Sequence, residues 1–330
     1  MKLTQIALAG TITALAGAAT AQEYTARLPL DVPENNPKYA AAEIFAEAVS
    51  EKTDGAVEIQ LFGNSLLGGE VEVAEGIRLG SVQAGILTSS VLAQWVPEVQ
   101  VLDLPFIFNS DAHAVAMNDP VTEALQDDFA EAGFHLLGFT PNGARAVISK
   151  EPVRLPEDVE GKKMRVIQSD LHVNLWETAG ASPTPIPHPE IYNSMQTGVV
   201  DLFDNTASNY YSESWYEVAP YYTKLNHIYA IGSWVFSEEW WQSLPEEHQT
   251  AIEEAAAEAQ QQQPELQAEQ DAQALAQTEE AGSTIISDID RDVWVEKLKP
   301  VREEYAAKIP GAEELLEIIA EADPEAGPDA

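Results

Sequence analysis

The sequence contains no cysteine, which excludes disulfides, thiol nucleophiles and thiolate metal sites together. Basic residues are scarce: 17 Lys and Arg stand against 55 Asp and Glu, for a formal net charge of −38. A field of that sign repels nucleic acid and anionic lipid and favours solubility. There is no Gly-x-Ser-x-Gly elbow, and the six histidines (113, 135, 172, 188, 227 and 248) lack close metal-ligand spacing. Asp288, Asp290 and Asp292 imitate the opening of a calcium loop, but Lys299 stands where the bidentate Glu belongs, so they read as a solvated turn. Long apolar runs are missing except at the start. There Lys2, an apolar stretch from Ile6 to Ala18 and the small residues Ala19-Thr20-Ala21 form a Sec-type signal peptide, with cleavage expected after Ala21. The stretch is shorter than the roughly 20 apolar residues that span a bilayer, so the mature chain is expected to be exported and soluble.

What remains is organised in two parts. The 330 residues are 45% hydrophobic, enough for two cores, since single cores stop growing at about 250–300 residues. An extended run from Tyr24 to Leu30 leads into a helix announced by Asn36-Pro37 and ended by Asp54-Gly55, and Val57 to Phe62 alternates as a strand. Glu70 to Leu79 reads as a helix stopped by Gly80, followed by a strand from Val82 to Thr88. Strand and helix in alternation predict α/β architecture with a parallel sheet, whose ligand site lies beyond strand ends such as Thr88. The order repeats later, where Ser169 is placed to cap a helix that Gly180 stops, and Gly198 precedes another buried strand. Ile228 to Val235 reads as a strand returning to the first lobe, and Leu244 to Ala281 as one long helix with Pro264 inside it.

The stretch from Gly161 to Asn205 carries the chemistry. Six of the 17 basic residues, Arg145, Lys150, Arg154, Lys162, Lys163 and Arg165, lie between positions 145 and 165. On a strand from Met164 to Ile167, Arg165 points away from Met164 and Val166, and an arginine so placed needs an anion. The partner is either an internal carboxylate, Asp201 or Asp204, or the carboxylate of a ligand, which a planar guanidinium grips with two parallel hydrogen bonds.

Asn142-Gly-Ala-Arg145, Lys163-Met-Arg165-Val, Gly180-Ala-Ser-Pro-Thr-Pro, Glu190-Ile-Tyr, Gln196-Thr-Gly-Val-Val-Asp201 and Tyr216-Glu-Val occur in one order. In that order the chain resembles the periplasmic solute-binding subunits of TRAP transporters, from about Tyr24 to the helix near Ile319. The resemblance implies a two-lobed periplasmic binding protein (Venus-flytrap) fold with a long back helix linking the lobes. On that reading 1–21 is the signal peptide, 22–141 and 231–263 the first lobe, 142–230 and 264–321 the second, and 322–330 a disordered tail. It implies Arg165 as the main carboxylate clamp, Arg145 as a second basic contact and Asn205 as the amide holding the other oxygen. Gln168, His188, Asp204 and Thr88 fall at positions facing the ligand, and Asp204 is expected to repel a second carboxylate. The implied function is periplasmic binding of a small organic acid and its delivery, by lobe closure, to the small and large TRAP permease subunits. No chemistry, cofactor, metal or nucleic acid is expected, and the chain is expected to be a monomer. A periplasmic hydrolase or a ligand sensor on the same fold is the alternative.

Overall fold

The computed structural model describes residues 23–324. The expected leader with its cleavage site, and the last six residues of the expected tail, lie outside the described residues.

The chain folds as two α/β lobes. In the first, β1 (Tyr24–Pro29) pairs in parallel with β2 (Val57–Phe62), and the helix Pro37–Lys52 joins them. That helix starts as the sequence predicts: the Asn36 side chain accepts from the Lys38 amide, and Pro37 sits in the first turn. Next to β1 lies a three-stranded sheet of β3 (Ala84–Thr88), β4 (Phe134–Ala144) and a later strand, β10 (Tyr229–Ser237), with β10 in the middle. The second lobe is built on β5 (Ala146–Ser149), β6 (Lys163–Val166), β7 (Ser182–Pro185), β8 (Leu202–Asn205), β9 (Tyr221–Thr223) and β11 (Thr284–Ile286). Their order in the sheet is β11-β9-β5-β8-β6-β7.

The parallel sheet expected from the sequence is found only in part. β6 runs parallel to β7 and β8, but β10 is antiparallel to both β3 and β4, and β5 is antiparallel to β8 and β9. The cause is the crossing itself: β4 and β5 carry the chain out of the first lobe and β10 carries it back, so the crossing strands oppose each other. They meet at Arg145, whose amide donates to the Ile228 carbonyl at 2.8 Å.

The apolar interior has three parts. One packs β1 and the helix Pro37–Lys52 against Trp234 and Phe236, and a second packs Phe203, Tyr210 and Trp215 in the second lobe. The third joins Leu87, Leu104 and Phe139 to Val147, Met164 and Trp176, so it runs through both lobes on the side where the chain crosses. Burial there holds the two lobes together.

Behind both lobes lies the helix Glu246–Glu280, unbroken through Pro264. At 1.5 Å per residue it is about 50 Å long. Its composition changes with its neighbours. Ala251, Ala255 and Ala259 are buried in its first half and let it lie close to the helix Pro37–Lys52; Gln260, Gln263 and Gln267 follow where it passes β4 and the helix Ala207–Ser212. Beyond it, the helix Arg291–Lys308 packs on Asp170–Ala179, whereas the helix Ala312–Glu321 packs on Asn118–Glu131. Part of the segment expected in the second lobe therefore lies against first-lobe sequence. Asp323, in the expected tail, accepts a hydrogen bond from Asn109 at 2.8 Å. The three aspartates around 290 form no loop, because Asp292 already lies in the first turn of Arg291–Lys308.

Candidate functional site

A narrow cleft lies between the lobes, lined by residues of both. Thr88, Arg145, Arg165, Gln168, His188 and Asn205 line it, six of the seven side chains that the sequence singles out. The seventh does not. Asp204 is fully buried behind the cavity wall, because alternation along β8 sends Asn205 to the cleft and Asp204 to the opposite face.

Asp204 serves Arg145 instead. Its Oδ2 accepts from Arg145 Nε at 2.7 Å and from His227 Nε2 at 3.2 Å, and its main-chain carbonyl accepts from Arg145 Nη2. Burial opposes ionisation of Asp204, but Arg145 and His227 outweigh it and hold the carboxyl well below its ordinary range. The expectation that Asp204 repels a second ligand carboxylate is thereby corrected: its charge is neutralised inside the protein.

Arg165 differs in kind. It projects from β6, is only 4% exposed, and gives its Nε to the Ile186 carbonyl at 2.8 Å. Neither internal partner considered for it is available, since Asp204 is bound to Arg145 and Asp201 is engaged by the Lys163 amide. Among the described residues no carboxylate lies within ion-pair distance of Arg165. Burial, then repulsion from Arg145, pushes its pKa down to about 9, so it stays charged at neutral pH. Beside it, Asn205 Oδ1 accepts from the Thr206 amide and from Asn209 Nδ2, which leaves its own Nδ2 for the cavity.

The first lobe supplies groups that the sequence reading missed. Lys38 is buried and bridges two acids, with Nζ 2.7 Å from Asp31 Oδ1 and 3.3 Å from Glu70 Oε1. Against the effect of burial, Asp31 and Glu70 raise the Lys38 pKa, and Lys38 in turn keeps Asp31 below its usual range. Glu70 moves the other way, raised by burial and by Asp31. Thr88 proves to be the holder of Glu70, whose Oε1 accepts from the Thr88 amide and hydroxyl at 2.7 and 3.1 Å. One signal for Lys38 was present in the sequence: a lysine in the first turn of a helix opposes the helix dipole and calls for compensating acids.

Across the cleft, His188 Nδ1 stands 3.3 Å from Asp31 Oδ2, yet the angle makes no hydrogen bond and both ring nitrogens lack one. Burial pushes the His188 pKa down to about 4, so the ring is neutral at pH 7. Asn36 spans the same gap, donating to Asn209 Oδ1 at 2.7 Å and to Ser212 Oγ at 3.2 Å.

Ser90, His172 and Asp103 have the residue types of a hydrolytic triad but not its geometry. Ser90 Oγ and Asp103 Oδ2 both approach the same ring nitrogen, His172 Nε2, at 3.2 and 3.4 Å. In a triad the acid orients the base through its other nitrogen. His172 Nδ1 has no partner, and all three side chains are buried outside the cavity lining. The cluster joins Ser90 and Asp103 of the first lobe to His172 of the second. Among the described residues no cluster of His, Asp and Glu could hold a metal, and no helix is long and apolar enough to cross a membrane.

Residues 31–308 match the family model described as bacterial extracellular solute-binding protein, family 7 (DctP). A TRAP periplasmic solute-binding protein from Chromohalobacter salexigens, solved with bound D-glucuronate, is 32% identical; the match covers 90% of this chain and 100% of that one, with a TM-score of 0.86. A Sulfitobacter protein with bound β-D-galacturonate is 31% identical over 89% and 99% of the two chains, with a TM-score of 0.85. A Sulfurospirillum deleyianum protein with bound succinate is 30% identical over 90% and 98%, with a TM-score of 0.83. The fold is that of these two-lobed binding proteins, and the family binds solutes rather than transforming them. With the family model matched over most of its length, the chain belongs to the DctP family of TRAP-transporter solute-binding proteins.

Proposed function

We propose that the chain binds a small organic acid in this cleft, with the ligand carboxylate clamped by Arg165, and delivers it in the closed state to TRAP permease subunits in the membrane. Arg165 carries the reading: a buried guanidinium lines the cavity, and among the described residues no acid pairs with it. An unpaired buried charge costs several kcal/mol, and a ligand carboxylate removes that penalty with two parallel hydrogen bonds. Arg145 and the free amide of Asn205 stand beside it as further donors. The acids bound by the relatives, two uronates and succinate, support the class.

Closure follows from which lobe holds what. Arg165, Asn205 and His188 belong to the second lobe, Asp31, Lys38 and Glu70 to the first, and the Asn36–Asn209 bond bridges the two. A ligand touching both sides favours the closed form by its difference in affinity for the two forms. The N-terminal leader would place the protein in the periplasm, where the small and large permease subunits receive the closed complex.

A thermal-shift screen of the mature, ligand-stripped protein against organic anions tests the binding. An acid at about 1,000 times its dissociation constant stabilises the fold by roughly 4.1 kcal/mol. No shift with any carboxylate would sink the proposal. Uptake into vesicles containing the permease subunits tests delivery, which requires transport to depend on the binding protein.

A further inference from the structure

We infer that this cleft selects acids with a single carboxylate and with hydroxyl groups facing the first lobe, that Asp31 and Glu70 reject a second carboxylate, and that His188 helps to hold the hydroxyls. The inference rests on Arg165 as the clamp, and it decides between the two ligand classes found in the relatives.

The charges in the cleft are unevenly placed. On the second lobe Arg165 has no ion-pair partner among the described residues, while Arg145 is already neutralised by Asp204. From the first lobe two carboxyl groups, Asp31 and Glu70, share the one ammonium of Lys38 and lie near enough to Arg165 to favour its charge. The cavity therefore offers a spare positive charge on the second lobe and a surplus of acid on the first. One ligand carboxylate satisfies Arg165; a second one, turned towards the first lobe, meets two acids that share the one ammonium of Lys38. Like charges placed together at a desolvated interface cost several kcal/mol, which amounts to a factor of at least about 100 in affinity.

The side facing the first lobe is nevertheless polar, and its free atoms say what it accepts. Lys38 occupies Asp31 Oδ1, and Glu70 Oε1 takes Thr88 and Lys38, which leaves Asp31 Oδ2 and Glu70 Oε2 as acceptors for the ligand. The neutral His188 ring provides one donor and one acceptor, and neither finds a protein partner although both nitrogens are buried. Carboxylate acceptors beside an unsatisfied imidazole complement hydroxyl groups, which donate and accept at once. Asp31 Oδ2 and His188 Nδ1 are 3.3 Å apart from opposite lobes, so a ligand hydroxyl bonded to both would connect the lobes directly. A plain alkyl acid would leave these groups unpaired, and sites built to hydrogen-bond a hydroxyl reject analogues without it.

Titration calorimetry on the ligand-stripped mature protein tests this with no variant at all. The panel is three sugar monoacids (D-glucuronate, D-galacturonate and D-gluconate), the matching diacid D-glucarate, succinate, and hexanoate. The expected result is that at least one sugar monoacid binds at least about 100-fold more tightly than glucarate, succinate or hexanoate. Glu70→Gln and His188→Asn should then act differently: the first narrows the gap to glucarate at least about tenfold, and the second weakens the sugar acid while leaving succinate nearly unchanged. Succinate, glucarate or hexanoate binding as tightly as the best sugar acid overturns the inference while leaving the clamp intact. Failure of every acid in the panel overturns the inference and the clamp together.

Discussion

Arg145 and Asp204 are shut off from solvent and bound to each other, Nε to Oδ2 at 2.7 Å, at the point where the chain crosses between the lobes. The pair lets a cationic wall stand beside the ligand without adding net charge to the interior. It also leaves Arg165, from the neighbouring part of the same sheet, as the cation that a ligand must neutralise.

Breaking the pair from one side leaves the other charge buried. Asp204→Asn should destabilise the ligand-free protein by about 3–5 kcal/mol, read from denaturant unfolding. A loss within about 0.5 kcal/mol would mean that Arg145 finds another partner.

Two groups should give opposite pH slopes. Burial pushes His188 down from 6.5 to about 4, so its contribution to stability is present above pH 6.5 and lost as pH falls to about 4. Glu213, near Asp31, is raised by burial from 4.5 to about 7, so its contribution is present below 4.5 and lost as pH rises through about 7. Unfolding midpoints between pH 4 and 8 check the signs. Glu213→Gln should gain on the wild type as pH rises across this range, and His188→Asn should gain on it as pH falls; the reverse order would contradict both assignments.

Gly143 has φ of +99°, and a Cβ there would stand 2.6 Å from Asp271 Oδ2. Asp271 is tied by its other oxygen to the Ser208 amide at 2.7 Å and cannot easily withdraw. Gly143→Ala should therefore cost about 1–3 kcal/mol, through backbone strain together with the displaced acid. Equal unfolding midpoints for the two proteins would show that the turn adapts.

His172 and Asp103 join the lobes on the crossing side, with Nε2 3.4 Å from Oδ2. A double-mutant cycle with His172→Phe and Asp103→Asn should give a coupling of about 0.5–3 kcal/mol in unfolding. Additive effects would show that the two side chains act separately.

Much of this could be seen in the sequence wherever a residue's role is set by its neighbours along the chain. Asn36-Pro37 marks a helix start, Gly180 takes the left-handed conformation that ends its helix, and the helix-forming run after Pro245 is one helix of 35 residues. Ser169 shows the limit: it occupies the cap position, but its hydroxyl makes no capping bond. The site divides along the same line. Arg165 stood out by alternation within its strand, whereas the grouping of Asp31, Lys38 and Glu70 depends on three segments converging, and with 55 acids no pairing could be singled out beforehand. Asp204 was misplaced because spacing alone does not say which face of β8 meets the cleft.

Arg165 is the residue on which anion binding depends, and calorimetry of Arg165→Met with the best-binding acid, alongside unfolding of both ligand-free proteins, decides its role. The expected result is a loss of affinity of at least about 100-fold with ligand-free stability unchanged or raised, because the substitution removes a buried charge that no carboxylate among the described residues satisfies. Affinity retained within about threefold, or a ligand-free protein weakened by several kcal/mol, would make Arg165 a structural residue and contradict the clamp.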